Sequence, residues 1–171
     1  MSLVNQISLR TTMSYRVLFV CLGNICRSPA AEIVFNAAIA RAGLKGRIKA
    51  DSCGTASYHT GEKPDRRMLA ALERAGYAWG GHRARTFSHR DFAQFDLIIP
   101  QDESNKEDIL ALASREEDAA KVRPMSTWFA PGEREREVPD PYYGGPAGFD
   151  AVVQLLERAM ERLVAELQEK C

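Results

Sequence analysis

The 171-residue chain is long enough for one domain with a substantial core and too short for two comfortable ones. Hydrophobic residues at 45% and charged residues at 27%, with no biased tract, exclude a disordered chain. Lys plus Arg and Asp plus Glu number 23 each, so no overall field draws the chain to nucleic acid or an anionic membrane, and any anion has to be bound locally.

Residues 1–14 show no periodicity and read as a loose tail ahead of a single domain over 15–171. Residues 16–20, RVLFV, form a short β-branched and aromatic run suited to a strand buried on both faces. A tight loop follows, and Ser28-Pro29 opens a helix, with Ser28 read as N-cap and Pro29 as the first helical residue. Ile33, Val34, Ala37, Ala38 and Ala40 supply its apolar face, and Gly43 ends it. Further along, 47–52 reads as a second strand, and 65–74 as a helix with Met68, Leu69 and Leu72 inward. Residues 95–99 read as a third strand, 104–113 as a helix, 121–123 as a weak fourth strand, and 149–170 as a long amphipathic helix. Between them lies 131–145, with no regular element and an exposed EREREV run. Alternation of strands and helices implies an α/β domain of three layers, a four-stranded parallel sheet with helices on both faces and right-handed crossovers. Ligands of such sheets sit beyond the carboxyl ends of the strands, so the loop after the first strand is the first place to look.

No apolar run approaches the roughly 20 residues of a spanning helix. The run from Val17 to Leu22 is short for a secretory core and no small-residue cleavage site follows, so the chain reads as cytoplasmic, with no membrane partner. Cys21, Cys26, Cys53 and Cys171 match no disulfide scaffold and are expected to be reduced. They form no Cys-x-x-Cys and lack ligand spacing to His59, His82 or His89, so neither metal nor cofactor is expected.

The loop itself, CLGNICRSP over 21–29, carries the chemistry. Backbone N–H groups of Leu22, Gly23, Asn24, Ile25, Cys26, Arg27 and Ser28, curling into a helix N-terminus, make an anion seat. Gly23 permits close approach, and Asn24 tolerates the left-handed backbone of such a curl. The Arg27 guanidinium can take two phosphoryl oxygens at once. Cys21 lies at the floor of the seat, where amides, dipole and Arg27 favour thiolate over thiol, and Ser28 can donate its hydroxyl to the sulfur. The alternative reading makes Cys21 an inert buried thiol and Arg27 a surface charge. A thiolate expelling a phenolate needs an acid, and Asp140, stiffened between Pro139 and Pro141, is the candidate; a plain Asp-Pro turn is its alternative.

CLGNICRSP together with DPYYG resembles the low-molecular-weight protein tyrosine phosphatases, and the likeness runs from about Tyr15 to the C-terminus. It includes DSCGTASYHTG at 51–61, RARTFSHRDFAQFDLII at 83–99 and DESN at 102–105. The resemblance implies Cys21 as nucleophile, Arg27 as phosphate clamp and Asp140 as general acid. It further implies Asn24, Ser28 and Ser52 as the network holding the loop, and Tyr58 and Tyr142 at the mouth of a cleft for a phosphotyrosyl protein, with inorganic phosphate as product. Cys26 matches a second loop cysteine that can trap an oxidised nucleophile as a disulfide; a small thiol filling the loop's underside is the other reading. Two departures stand out. Ala75-Gly76 replaces a His-Gly of many members, which removes one expected partner of Asn24, and Pro100-Gln101 precedes Asp102 where the family often has an apolar residue or Met. Phosphoarginine phosphatases, arsenate reductases and non-catalytic phospho-binding modules are the rivals. Ile25 in place of Thr argues against the first, the lack of relay cysteines against the second, and the joint presence of nucleophile, clamp and acid against the third.

Overall fold

The computed structural model describes residues 13–171; the bulk of the predicted tail, residues 1–12, lies outside them. At the tail's end, the hydroxyl of Ser14 donates to the Gly46 carbonyl at 2.8 Å. Three parallel strands form the sheet: β1 (Tyr15–Cys21), β2 (Ile48–Gly54) and β3 (Leu97–Pro100), in the order β2-β1-β3. The central place of β1 follows from its sequence, because Val17, Leu18, Phe19 and Val20 are all fully buried and their side chains alternate between two cores. Val17 and Phe19 join the larger core with α1 (Arg27–Arg41), α2 (Arg66–Arg74) and α6 (Pro146–Lys170). On the other face, Leu18 and Val20 pack with Phe92 of α3 (Asp91–Gln94) and Ile109 of α4 (Glu103–Leu112).

The expected fourth strand is absent from this sheet. Residues 121–123 make one bridge, Ile98 to Val122, through Ile98 N–H to the Lys121 carbonyl at 2.9 Å and Arg123 N–H to the Ile98 carbonyl at 3.0 Å. Pro124 follows and has no N–H with which to extend a ladder. The preceding turn of helix, α5 (Glu116–Ala119), delivers the chain to that bridge, and a 3₁₀ turn, Met125–Trp128, leads it away.

Further readings shift in four elements. The helix after the first loop starts at Arg27, so Ser28 lies inside it and caps nothing; the N-cap position is Cys26, which offers no side-chain cap. Its buried stripe is Ala31, Val34, Phe35, Ala38 and Ile39, one step round from the predicted face, with Ala40 exposed. In α2 the inward residues are Met68, Ala71 and Leu72, with Leu69 only half-buried, and Asp65 caps the helix by accepting from Arg67 N–H at 2.8 Å. The long last helix opens on Pro146, three residues early, after Gly145. Strand β2 runs two residues beyond its predicted end, and that extension sets Cys21 opposite Gly54.

Candidate active site

The loop leaves β1 at the carboxyl edge of the sheet and is shaped by two close packings. Asn24 adopts φ 58°, the left-handed region its short amide tolerates. Gly54 lies directly beneath: a Cβ there would come within 2.6 Å of the Leu22 carbonyl oxygen and 3.1 Å of Asn24 N. A side chain on Gly23 would meet the His59 ring at 2.9 Å. Both glycines are therefore fixed by approach, in keeping with the expectation for Gly23.

Asn24 is fully buried and is the hub of the loop. Its Nδ2 donates to Ser28 Oγ at 2.8 Å and Ser52 Oγ at 3.0 Å. Its Oδ1 accepts from Arg85 N–H at 3.0 Å and from His82 Nε2 at 2.8 Å, a contact that requires a proton on that ring nitrogen. His82 thus supplies the partner that Ala75-Gly76 was expected to remove, and the anticipated gap does not exist. The other ring nitrogen, Nδ1, faces Asp51 Oδ1 at 3.4 Å and Glu32 Oε1 at 3.6 Å. Burial pushes the Glu32 carboxyl up, against the pull of His82. Burial also acts to raise Asp51, but hydrogen bonding to His82 and the charge of Arg85 prevail and hold it at about 2. Among the described residues this trio is the one set of potential metal-ligand atoms lying within 4.8 Å of one another. Arg85 Nε occupies one Asp51 oxygen at 3.0 Å, so Asp51 already has a cationic, hydrogen-bonded partner, whereas Glu32 Oε1 is buried with no hydrogen-bond partner among the described residues.

Cys21 Sγ is buried in the curve of the loop. Asn24 N–H donates to it at 3.3 Å, and Ser28 Oγ lies 3.0 Å away. Ser28 has a single proton and two acceptors in reach, the sulfur and the Cys53 carbonyl at 3.2 Å. The backbone N–H groups of Ile25, Cys26 and Arg27 donate to no other group among the described residues, which leaves them available to an anion. Burial, with the nearby Asp65 carboxylate, pushes the Cys26 thiol well up, so it stays protonated.

Arg27 is almost wholly buried and doubly held: Nη1 donates to Asp102 Oδ2 at 2.5 Å and to the Val138 carbonyl at 3.1 Å. Asp102 uses its other oxygen to cap α4, accepting from Asn105 N–H at 2.7 Å, while Asn105 Oδ1 accepts from Asp102 N–H. Val138 closes the EREREV run, in which residues 134–137 are exposed; it is buried and its N–H donates to the Gln101 carbonyl at 2.9 Å. Gln101 N–H in turn donates to Val20 at 2.9 Å, so the Pro100-Gln101 departure carries the β3 edge to the segment that brings in the acid candidate.

Asp140 stands across the pocket from the loop. Oδ1 is anchored by Tyr142 N–H at 3.1 Å, and Oδ2 lies 3.7 Å from Arg27 Nη2. Cys21, Arg27 and Asp140 border one recess of about 250 Å³, which Tyr58 and Tyr142 also line. Two lining residues escaped the sequence reading: His59, which is 2.6 Å from Glu62 through Nδ1, and Tyr143, which is 94% exposed. Only their adjacency to Tyr58 and Tyr142 could have flagged them. The Tyr142 ring is steadied by Arg67, whose guanidinium carbon lies 5.2 Å from the ring centre.

Comparison with known proteins agrees with this geometry. A Synechocystis relative is 51% identical over 152 residues, 89% of this chain and 96% of its own. The low molecular weight protein-tyrosine-phosphatase of Streptomyces coelicolor is 43% identical, covering 92% of this chain and 96% of its own. The crystal structure of a protein tyrosine phosphatase from Entamoeba histolytica, with Hepes in its active site, superposes with a TM-score of 0.87 at 40% identity, over 92% of this chain and 99% of that one. The family described as low molecular weight phosphotyrosine protein phosphatase matches residues 16–171, and with a buried Cys-Asn-Arg loop and an opposed Asp-Pro segment in one recess, the chain belongs to that family.

Proposed function

We propose that the protein hydrolyses phosphotyrosine in protein substrates through a phosphocysteine on Cys21. The observation that carries this reading is the shared recess, in which Asp140 Oδ2 lies 3.7 Å from a buried guanidinium on the loop that cradles Cys21. Loop amides and Arg27 take the phosphoryl oxygens, and their charge stabilises the transition state. The Cys21 thiolate attacks phosphorus; the phosphorus–oxygen bond to tyrosine breaks, and the Asp140 carboxyl gives its proton to the departing phenolate. In the second half, Asp140 takes a proton from water, the water oxygen bonds to phosphorus, and the phosphorus–sulfur bond breaks. Inorganic phosphate leaves, Cys21 returns as thiolate and Asp140 regains its proton. Ser28 stabilises the sulfur as it departs, and Asn24, Ser52 and His82 hold the loop. No step requires a metal. The domain over 15–171 acts as one unit, and its unpaired cysteines suit the reducing cytoplasm.

Replacing the acid tests the assignment. Asp140→Ala is expected to slow hydrolysis of phosphotyrosine by about 10²–10⁴, the usual worth of a general acid. The loss should be far smaller with p-nitrophenyl phosphate, whose phenol is much more acidic than tyrosine with its pKa near 10. Equal slowing of both esters would remove Asp140 from the role.

A further inference from the structure

A second recess opens beside the first. Its volume is about 350 Å³, and it shares Leu22 and Tyr58 with the pocket around Cys21. Phe87 and Leu112 add apolar wall, and Asp108 of α4 adds a carboxylate. Five large hydrophobic side chains are exposed among the described residues, and three of them, Leu22, Tyr58 and Leu112, line this one recess. Such concentration marks a contact surface.

Two further observations bear on what fills it. The Thr55 hydroxyl oxygen is buried and has no hydrogen-bond partner among the described residues, although Thr55 lines the recess. Its backbone cannot shift to find one, because Thr55 N–H donates to the Cys21 carbonyl and Ala56 N–H to the Leu22 carbonyl, both at 2.9 Å. Asp108 pairs with no cation among the described residues, and α4 carries Glu103, Glu107 and Asp108 against Lys106 alone, which lies 3.8 Å from Glu103.

A recess walled by Leu22, Tyr58, Phe87 and Leu112 and edged by polar groups, the Asp108 carboxylate among them, suits a long aliphatic stem that ends in a positive charge. The geometry points to a subsite for a Lys or Arg side chain flanking the phosphotyrosine. The stem lies over Leu22, Tyr58 and Leu112, the head group reaches Asp108, and a turn of the Thr55 side chain would bring its unpartnered hydroxyl to the main chain of the same peptide. This inference rests on the phosphatase reading and narrows its substrate class to phosphotyrosyl segments with a basic neighbour.

The test uses phosphotyrosyl peptides of one length that carry a single Arg, Ala or Glu at each neighbouring position in turn, with p-nitrophenyl phosphate in parallel. At one or more positions the Arg peptide is expected to show a kcat/KM roughly three- to fivefold above its Ala counterpart, the range of an exposed charge pair, with the gain in KM and the Glu peptide poorest. Raised salt should shrink the preference. Asp108→Asn should erase the Arg-to-Ala ratio, and Asp108→Lys should invert the order of Arg and Glu. Equal rates for Arg, Ala and Glu at every position, or an Arg preference that survives Asp108→Lys, overturns the subsite while leaving the phosphatase reading intact. A wild-type protein inert toward p-nitrophenyl phosphate removes both.

Discussion

Asn24→Ala is the most exacting test of how the loop is held. The substitution deletes four hydrogen bonds, but their loss is unequal. Ser28 keeps Cys21 and Cys53, and Ser52 and His82 keep each other at 3.2 Å, so these three groups together lose about 1 kcal/mol. The Arg85 N–H has Asn24 Oδ1 as its acceptor and becomes an orphaned, partly buried donor, which costs about 1–3 kcal/mol. Alanine must also hold φ 58°, which adds about 1 kcal/mol over asparagine. The sum is about 3–5 kcal/mol, a large part of the ~5–15 kcal/mol available to a domain. Urea unfolding followed by circular dichroism reads it directly. With a slope of about 2 kcal/mol per molar, the midpoint should fall by about 1.5–2.5 M at constant slope. Asn24→Gly removes the same bonds without the backbone penalty and should recover about 0.5 M of that fall. A midpoint shift below about 0.5 M for the alanine variant would refute the hub, and a glycine variant no better than alanine would refute the backbone share.

Other outcomes follow from the same geometry. Cys21→Ser should keep phosphate binding, measured by calorimetry, and lose turnover; retained turnover ends the nucleophile assignment. Asp51 is held at about 2 against an ordinary 3.8, so its contribution to stability is complete above about pH 4 and is lost as pH falls toward 2. The stability gap between wild type and Asp51→Asn should therefore narrow over that window, and a constant gap would contradict the pairing with His82 and Arg85. Gly54→Ala places a methyl against the Leu22 carbonyl and should cost about 1–3 kcal/mol with a fall in phosphate affinity; an unchanged affinity would show that the loop does not rest on Gly54.

What the chain revealed in advance was local. The apolar run 17–20, bounded by Gly23 and Asn24, announces a strand buried on both faces and a curled loop, because each signal lies within a few residues of its cause. Ser28 misled for the same reason: Ser-Pro is an N-terminal signature, but the hydroxyl lies between the Cys21 sulfur and the Cys53 carbonyl and the helix begins two residues earlier. Val122 does pair with Ile98, and Pro124 two residues later prevents a full strand. His82 and Asp102 reach the loop from 58 and 75 residues away, and a hydrogen bond across such a span leaves no spacing in the sequence. Asp140 stands out in the sequence because two prolines flank it, yet the contacts of its carboxylate, with Tyr142 N–H and near Arg27, are brought about only by the folded chain.

The double tether of Arg27 has a consequence for ligand chemistry. Asp102 and the Val138 carbonyl immobilise a side chain that in solution samples many rotamers, so the entropy of ordering it is lost during folding and not on encounter. A tetrahedral oxyanion therefore meets a rigid cationic wall. Bare inorganic anions of that shape should dock without any rearrangement of the surrounding segments, and their affinity should vary with oxygen spacing more steeply than with the bulk of whatever group they carry.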